Sequence, residues 1–366
     1  MSTPDPSPVR TDSSLVDRLL RAMVASGGSD LHLIAGNPPR VRIHGDLQIL
    51  EPKPLAAESL EASLQAIATP LAASQFDHEE QADFAYSIEG VARFRVNVFR
   101  HLGGMGAVMR AIPSEAVSLD SLKLPEVVRS LCQHHQGMIL VTGKTGSGKS
   151  TTLAAMINEI NVQRKGHIIT IEDPIEFLHK RQGCLISQRE VGNHTPAFSE
   201  ALLSALREDP DVVLVGELRD LETMSTAITA AEMGILVMGT LHTNGAAATV
   251  DRMVHAFPSE KQAHVRTMLS TSLRGVISQQ LCRRKAGGGR IAALEILVNT
   301  PAVSNLLRQG KLDQLETAMQ SGANVGMRTM DSALQELLDR RFITGREAYE
   351  KASSKDRFRK QVELSG

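Results

Sequence analysis

Residues 143 to 150 read Gly-Lys-Thr-Gly-Ser-Gly-Lys-Ser, and few octapeptides restrict a fold as tightly. Gly143, Gly146 and Gly148 let the backbone turn so sharply that its N–H groups converge, and a helix starting there adds its positive end. Such a loop belongs between a buried strand and a helix. Gly137 to Thr142 is an apolar run of strand character, and Thr151 to Asn161 has apolar residues at helical spacing, so both flanks are present. The octamer is therefore a Walker A loop, G-x-x-x-x-G-K-S, in its required context. Gly143, Lys144, Thr145, Gly146, Ser147, Gly148, Lys149, Ser150 and Thr151 are expected to surround the phosphates of ATP. Lys149 bridges the β and γ phosphates in such a loop, and the Ser150 hydroxyl meets Mg²⁺, whose remaining ligands are phosphate oxygens and water.

Composition narrows the class. With 40 basic against 41 acidic side chains the chain lacks the cationic footprint of a nucleic-acid binder, and no nucleic-acid partner is expected. Its 366 residues exceed what one hydrophobic core usually supports, which implies two domains. Aromatic residues make up 3% with no Trp, so the cores must be aliphatic. Cys132, Cys184 and Cys282 are odd in number and far apart, which fits a reducing compartment better than a disulfide frame or a zinc site. No run reads as a membrane span and the start is rich in Ser, Pro and Asp, so a cytoplasmic chain is expected.

Along the chain, residues 1–12 carry three prolines and read as a flexible tail. An α+β domain is expected over 13–112: a helix over Leu15 to Ser26, short strands near Leu31, Arg40 and Leu47, a helical stretch over 57–75, and strands again from Phe84 to Arg110. Residues 113–122 read as a polar, Pro-containing linker. Over 123–366 strands and helices alternate, the pattern of an α/β domain with a parallel sheet, and from about 301 only helical segments remain.

Four further motifs surround the loop in sequence. An apolar strand from Ile168 ends at Glu172, Asp173 and Glu176 around Pro174, carboxylates able to reach Mg²⁺ or an attacking water. Taken alone, they read more readily as a helix cap and first-turn charges, and the preceding phosphate loop is what reverses that. Val212 to Val215 is a Walker B strand leading to Glu217, with Gly216 where many P-loop enzymes place a metal-binding Asp. Leu236 to Leu241 ends at His242, with Thr240, Thr243 and Asn244 beside it. A lone strand-end histidine is more often structural, but here it could sense a γ phosphate. Arg93, Arg95, Arg100 and Arg110 lie in the first domain, where the plain alternative is a solvated strand face. Asp30 and His32 read as local capping residues.

These motifs together resemble the type II/IV secretion ATPase superfamily, and within it the type IV pilus retraction ATPases, the PilT and PilU group. The resemblance runs through Gly28-Ser-Asp-Leu-His-Leu33, Phe94-Arg-Val-Asn97, Glu172-Asp-Pro-Ile-Glu176, Gln188-Arg-Glu-Val191, Gly239-Thr-Leu-His-Thr243 and Gly326-Met-Arg-Thr-Met-Asp331, and covers nearly the whole chain. It implies a PAS-like N-terminal domain, a RecA-like ATPase domain with helical C-terminal region, and a homohexamer holding ATP between neighbouring subunits. It further implies an ATP hydrolase driving pilus retraction and twitching motility at the cytoplasmic face of the inner membrane. The implied partners are a membrane platform protein and a paralogous retraction ATPase. Glu176 becomes the favoured carboxylate for water activation, beside Glu217 and with Glu172 in reserve. His242 falls in the family's histidine box, and Arg95 and Arg110, ahead of Arg93, become candidate arginine fingers.

One departure bears on the branch. Retraction motors of this group usually carry Ala-Ile-Arg-Asn-Leu-Ile-Arg-Glu, whereas residues 302–309 read Ala-Val-Ser-Asn-Leu-Leu-Arg-Gln, so Ser304 and Gln309 replace charged residues. The alternatives are an accessory PilU-like or nucleotide-gated assembly subunit with weak hydrolysis, or a related secretion ATPase. Against the last, extension and secretion motors usually are longer and often carry a four-cysteine zinc insertion, which this sequence lacks.

Overall fold

The computed structural model describes residues 15–43, 45–112, 117–287 and 289–363, and the expected tail over 1–12 lies outside them. Two compact units are present, the first holding the elements up to residue 112 together with Glu176–Leu178, the second the rest.

In the first unit, helices α1 (Leu15–Ala25), α2 (Ala57–Ile67) and α3 (Pro70–Glu79) accompany strands β1 (Asp30–Ile34), β2 (Arg40–Ile43), β3 (Asp46–Ile49), β4 (Gln81–Ile88), β5 (Ala92–His101) and β6 (Gly104–Ile112). The strands form one antiparallel sheet in the order β3-β2-β1-β6-β5-β4. Helix α1 forms because Val16, Leu19, Leu20 and Met23 share a face, which is buried against Leu31, Phe94, Val96 and Met109 of the sheet's inner side. The single helical stretch expected over 57–75 is two helices. Pro70 cannot continue a helix from its N-terminal side, so the chain is extended at Ala68 and restarts with the Thr69 hydroxyl accepting the Ala72 N–H at 3.2 Å.

In the second unit, α4 (Glu126–Cys132) precedes β7 (Gly137–Thr142), α5 (Lys149–Gln163), β8 (His167–Glu172), β9 (Leu185–Glu190), α6 (Phe198–Ala205) and β10 (Val212–Val215). There follow α7 (Leu221–Glu232), β11 (Leu236–Leu241), α8 (Ala246–His255), α9 (Ser259–Ser272), β12 (Leu273–Arg283) and β13 (Arg290–Val298). The chain closes with α10 (Pro301–Gln309), α11 (Leu315–Ser321), α12 (Met330–Asp339), α13 (Gly345–Lys351) and α14 (Lys355–Glu363). The sheet order is β13-β12-β7-β11-β10-β8-β9, parallel throughout except for β13.

Every residue of β7, β10 and β11 is buried, because helices cover both faces of a parallel sheet. The two cores divide along β7: Met138 and Leu140 pack with α6 to α9, Ile139 and Val141 with α4 and α5. A further core of Cys282, Met330, Leu334, Ile343 and Phe358 fastens α12 to α14 to the β12–β13 hairpin. Of the linker expected over 113–122, residues 113–116 lie outside the described set, and Leu119 is 3% exposed within the α4–α5 core, so it is an anchor of the second unit. No helix among the described residues is long and apolar enough to cross a membrane.

Phe94 is fully buried while Arg95, on the opposite face, is exposed. Phe94→Ala should cost about 3–5 kcal/mol of the first unit's stability and Arg95→Ala under about 0.5 kcal/mol, measured by denaturant unfolding of each variant.

Candidate nucleotide-binding site

Parallel registry brings the ends of β7, β11 and β10 to one edge, and the loop from Gly143 to Gly148 leaves that edge. Gly143, Gly146 and Gly148 all have positive φ, at 143°, 77° and 89°. A side chain at Gly143 would meet the Gln279 carbonyl at 2.4 Å, whereas Gly146 has nothing within 4 Å, the open side by which a phosphate can approach the backbone. Helix α5 begins at Lys149 with Gly148, which has no side chain to cap it, so its first N–H groups face the loop. Those donors and the helix dipole are the ordinary means of holding an anion. Lys149 lies in the loop's hollow, its ammonium donating to the carbonyls of Gly143 at 2.9 Å and Lys144 at 3.3 Å, and the buried Ser147 hydroxyl has no partner of its own. This donor set fits a nucleotide's phosphates. A Mg²⁺ brought with a nucleotide's phosphates would meet the half-buried Ser150 hydroxyl in the first turn of α5.

Two neighbours clamp the loop. From β12, buried Gln279 donates to the Ser147 carbonyl at 2.7 Å and accepts from the Thr152 hydroxyl at 2.7 Å. From the end of β11, His242 stands between the loop and the Walker B strand. Its Nδ1 lies 3.4 Å from Thr145 Oγ1 and its Nε2 3.3 Å from Glu217 Oε1. Glu217 Oε2 also meets Arg219 at 2.8 Å, a pair exposed enough on the arginine side to be easily exchanged. The result is a line, Thr145–His242–Glu217–Arg219, from the phosphate loop to a carboxylate.

The glycine preceding Glu217 has a structural reason. A Cβ at Gly216 would lie 3.2 Å from both Glu172 Cα and the Ile171 carbonyl, so a side chain there would be tight against the end of β8.

The carboxylates of the acidic run differ in their surroundings. Glu172 is the last residue of β8, 9% exposed, and accepts from the Thr170 hydroxyl at 2.6 Å and from the Gln188 amide at 3.4 Å. Asp173 and Glu176 are exposed, and Glu176 counts with the first unit.

In the first unit Arg95, Arg110, Asp30 and Arg42 occupy one cross-strand row through β5, β6, β1 and β2. Arg110 Nε donates to Asp30 Oδ1 at 2.7 Å, with Asp30 buried and Arg110 exposed. Burial pushes the Asp30 carboxyl up, but the Ser29 hydroxyl and the Arg110 guanidinium outweigh it and hold it below the usual range. Arg95 is exposed and 3.7 Å from Asp83. Arg93, by contrast, is 7% exposed, so the solvated-face reading fails for it.

Comparison with known proteins follows the same line. A family model described as "Type II/IV secretion system protein" matches residues 9–336. The "Type IV pilus retractation ATPase PilT" of Pseudomonas aeruginosa is 49% identical over 94% of this chain and 99% of its own length. This chain belongs to the type II/IV secretion ATPase family, on its pilus-retraction branch. The "Type IV pilus ATPase PilU" of the same organism is 39% identical over 95% of this chain and 91% of its own length. The crystal structure of the pilus retraction motor PilT with bound ADP superposes with a TM-score of 0.88 at 42% identity, covering 95% of this chain and 100% of that one. The fold is that of a secretion ATPase, and the site is a nucleotide site.

Gln279 and Arg219 were not singled out in the sequence. Arg219 follows Glu217 by two residues and was within reach of inspection. Gln279 lies 132 residues from its loop partner, and nothing local marks it. Gln279→Ala removes two buried hydrogen bonds and should weaken ADP binding about tenfold, as measured by titration calorimetry, and lower the thermal transition by a few degrees.

Proposed function

We propose that this retraction-branch ATPase works as a homohexameric motor that hydrolyses ATP to drive type IV pilus retraction. The observation that carries the reading is the line from Thr145 through His242 to Glu217, which ties a phosphate loop to a carboxylate suited to water activation. Support comes also from the higher identity to the P. aeruginosa PilT than to its PilU.

In the proposed reaction, the loop N–H groups and Lys149 hold the phosphates. Mg²⁺, when bound, neutralises charge on the β and γ phosphates, with Ser150 as its protein ligand. Glu217 accepts a proton from the water that attacks the γ phosphorus, and the bond to the β-phosphate oxygen breaks to release ADP. Glu176 is the second candidate for that role and Glu172, occupied by Thr170 and Gln188, the third. Arg95 and Arg110 of a neighbouring copy meet the charge developing on the γ phosphate. His242 reports whether that phosphate is present.

The PAS-like label for the first unit, a cytoplasmic location at the inner membrane, docking on a platform protein and pairing with a paralogue belong to the same proposal. A second reading, an accessory subunit with weak hydrolysis, is favoured by Ser304 and Gln309. These make only short polar contacts, Ser304 to the Ser270 carbonyl at 2.7 Å and Gln309 to Asn305 at 3.1 Å.

Turnover assays on the purified hexamer separate the two. Lys149→Ala should abolish hydrolysis. Glu217→Gln should keep nucleotide affinity and lose at least about a hundredfold in kcat. Arg95→Ala or Arg110→Ala should cut kcat by about 10³ without loss of ADP binding, and mixing either with Lys149→Ala protein should partly restore activity. Wild-type hexamers that bind ATP without turnover would favour the accessory reading, and Glu217→Gln protein with normal turnover would rule out the assigned role.

A further inference from the structure

The motif Gly326 to Asp331 has no part in the site above, yet it is fastened to the sheet that carries the site. Arg328 and Ile296 of β13 exchange backbone hydrogen bonds, at 3.0 Å and 2.9 Å, and Arg328 Nε donates to the Leu294 carbonyl at 3.0 Å. Between those two positions stands Glu295, 8% exposed. Its Oε2 accepts the N–H of Met330, the first residue of α12, at 3.1 Å. Its Oε1 accepts the N–H of Ala246, the first residue of α8, at 2.7 Å.

The second contact leads directly to the nucleotide loop, because Ala246 follows His242 by four residues. The segment between is tied down by hydrogen bonds. Ser278, paired with Glu295 across β12 and β13, accepts the Gly245 N–H at 2.8 Å, and the Thr249 hydroxyl joins the Gly245 carbonyl at 2.7 Å and the Thr243 hydroxyl at 2.8 Å. These bonds form a continuous path from the residue after His242 to Glu295. Burial holds the Glu295 carboxyl above the usual carboxylate range, with nearby Glu316 and Asp331 adding to the rise and the N–H groups of Ala246 and Met330 offsetting only part of it.

The geometry points to Glu295 as a positioning residue that couples the His242 loop to the C-terminal helices α12 to α14. The inference rests on the reading of the site as one that hydrolyses ATP and senses its γ phosphate. One carboxylate satisfies two helix starts with two separate oxygens. An amide keeps only one acceptor, so Glu295→Gln preserves shape and size while severing one of the two connections. The family motif 326–331 is then the receiving end of the relay, and α12 is the element whose order changes with nucleotide state.

The test compares hydrogen exchange of residues 330–339 in full-length wild type and Glu295→Gln, each with a non-hydrolysable ATP analogue plus Mg²⁺ or with ADP, alongside ADP affinity and ATPase turnover. In wild type the protection of α12 should differ between the two nucleotides. In Glu295→Gln that difference should vanish and kcat should fall about tenfold, while the ADP dissociation constant stays within about twofold. An α12 that still responds in Glu295→Gln overturns the coupling, as does joint loss of ADP binding and of protection in both states, which would make the residue merely structural. Wild type that turns over ATP with no nucleotide dependence at α12 overturns this inference alone, whereas wild type without turnover removes the reading beneath it. If Glu295→Gln does not fold, Ser278→Ala, which frees the loop side only, should shrink the α12 difference, and an undiminished difference refutes the relay.

Discussion

The phosphate loop depends on being held from both sides of the strand that launches it. Strand β7 lies in parallel register between β11 and β12, Thr142 pairing with Leu241 on one side and Ser278 on the other. The next residues of those neighbours, His242 and Gln279, are thereby delivered to opposite flanks of the loop. Glycine gives the loop its turn, but glycine also makes it loose, and loose donors bind phosphate poorly because ordering them opposes binding. Clamping by Gln279 settles that cost during folding. The aliphatic ladder beneath, with no aromatic ring in β7, β10 or β11, fixes the relative heights of the strand ends.

What was legible in the sequence was what depends on neighbours in the chain. The apolar run before Gly143, the octapeptide itself and the helix after it are local signals, and so are the Walker B strand and the histidine at the end of β11. The differing surroundings of the acidic run's carboxylates were hidden because proximity in sequence does not reveal them. The strand ends at Glu172, whose side chain turns inward to Thr170 and Gln188, and five residues suffice to carry Glu176 into other company. Gln279 and Glu295 were invisible for a related reason. In Val276-Ile-Ser-Gln-Gln-Leu281 and Ala292-Ala-Leu-Glu-Ile-Leu297, polar residues set within apolar strands have no period to reveal their purpose. Only the register of the hairpin sets them beside loops far away in the chain.

Gly216 shows how a departure from a motif follows from packing. The chain after β10 passes close to the end of β8, which favours the small residue at Gly216, and the carboxylate stands one residue on at Glu217. There it lies against His242 at the neighbouring strand end, in a line joining three strand ends.

The row of Arg95, Arg110, Asp30 and Arg42 has a consequence of its own. Three guanidiniums stand in the row with one carboxylate, Asp30, which is committed to Arg110, while Arg95 leans to Asp83 outside the row at 3.7 Å. Like charges on adjacent strands repel, and the repulsion is felt most when counter-ions are scarce. The ionic strength of the surroundings therefore sets how much of that strain this face of the sheet carries.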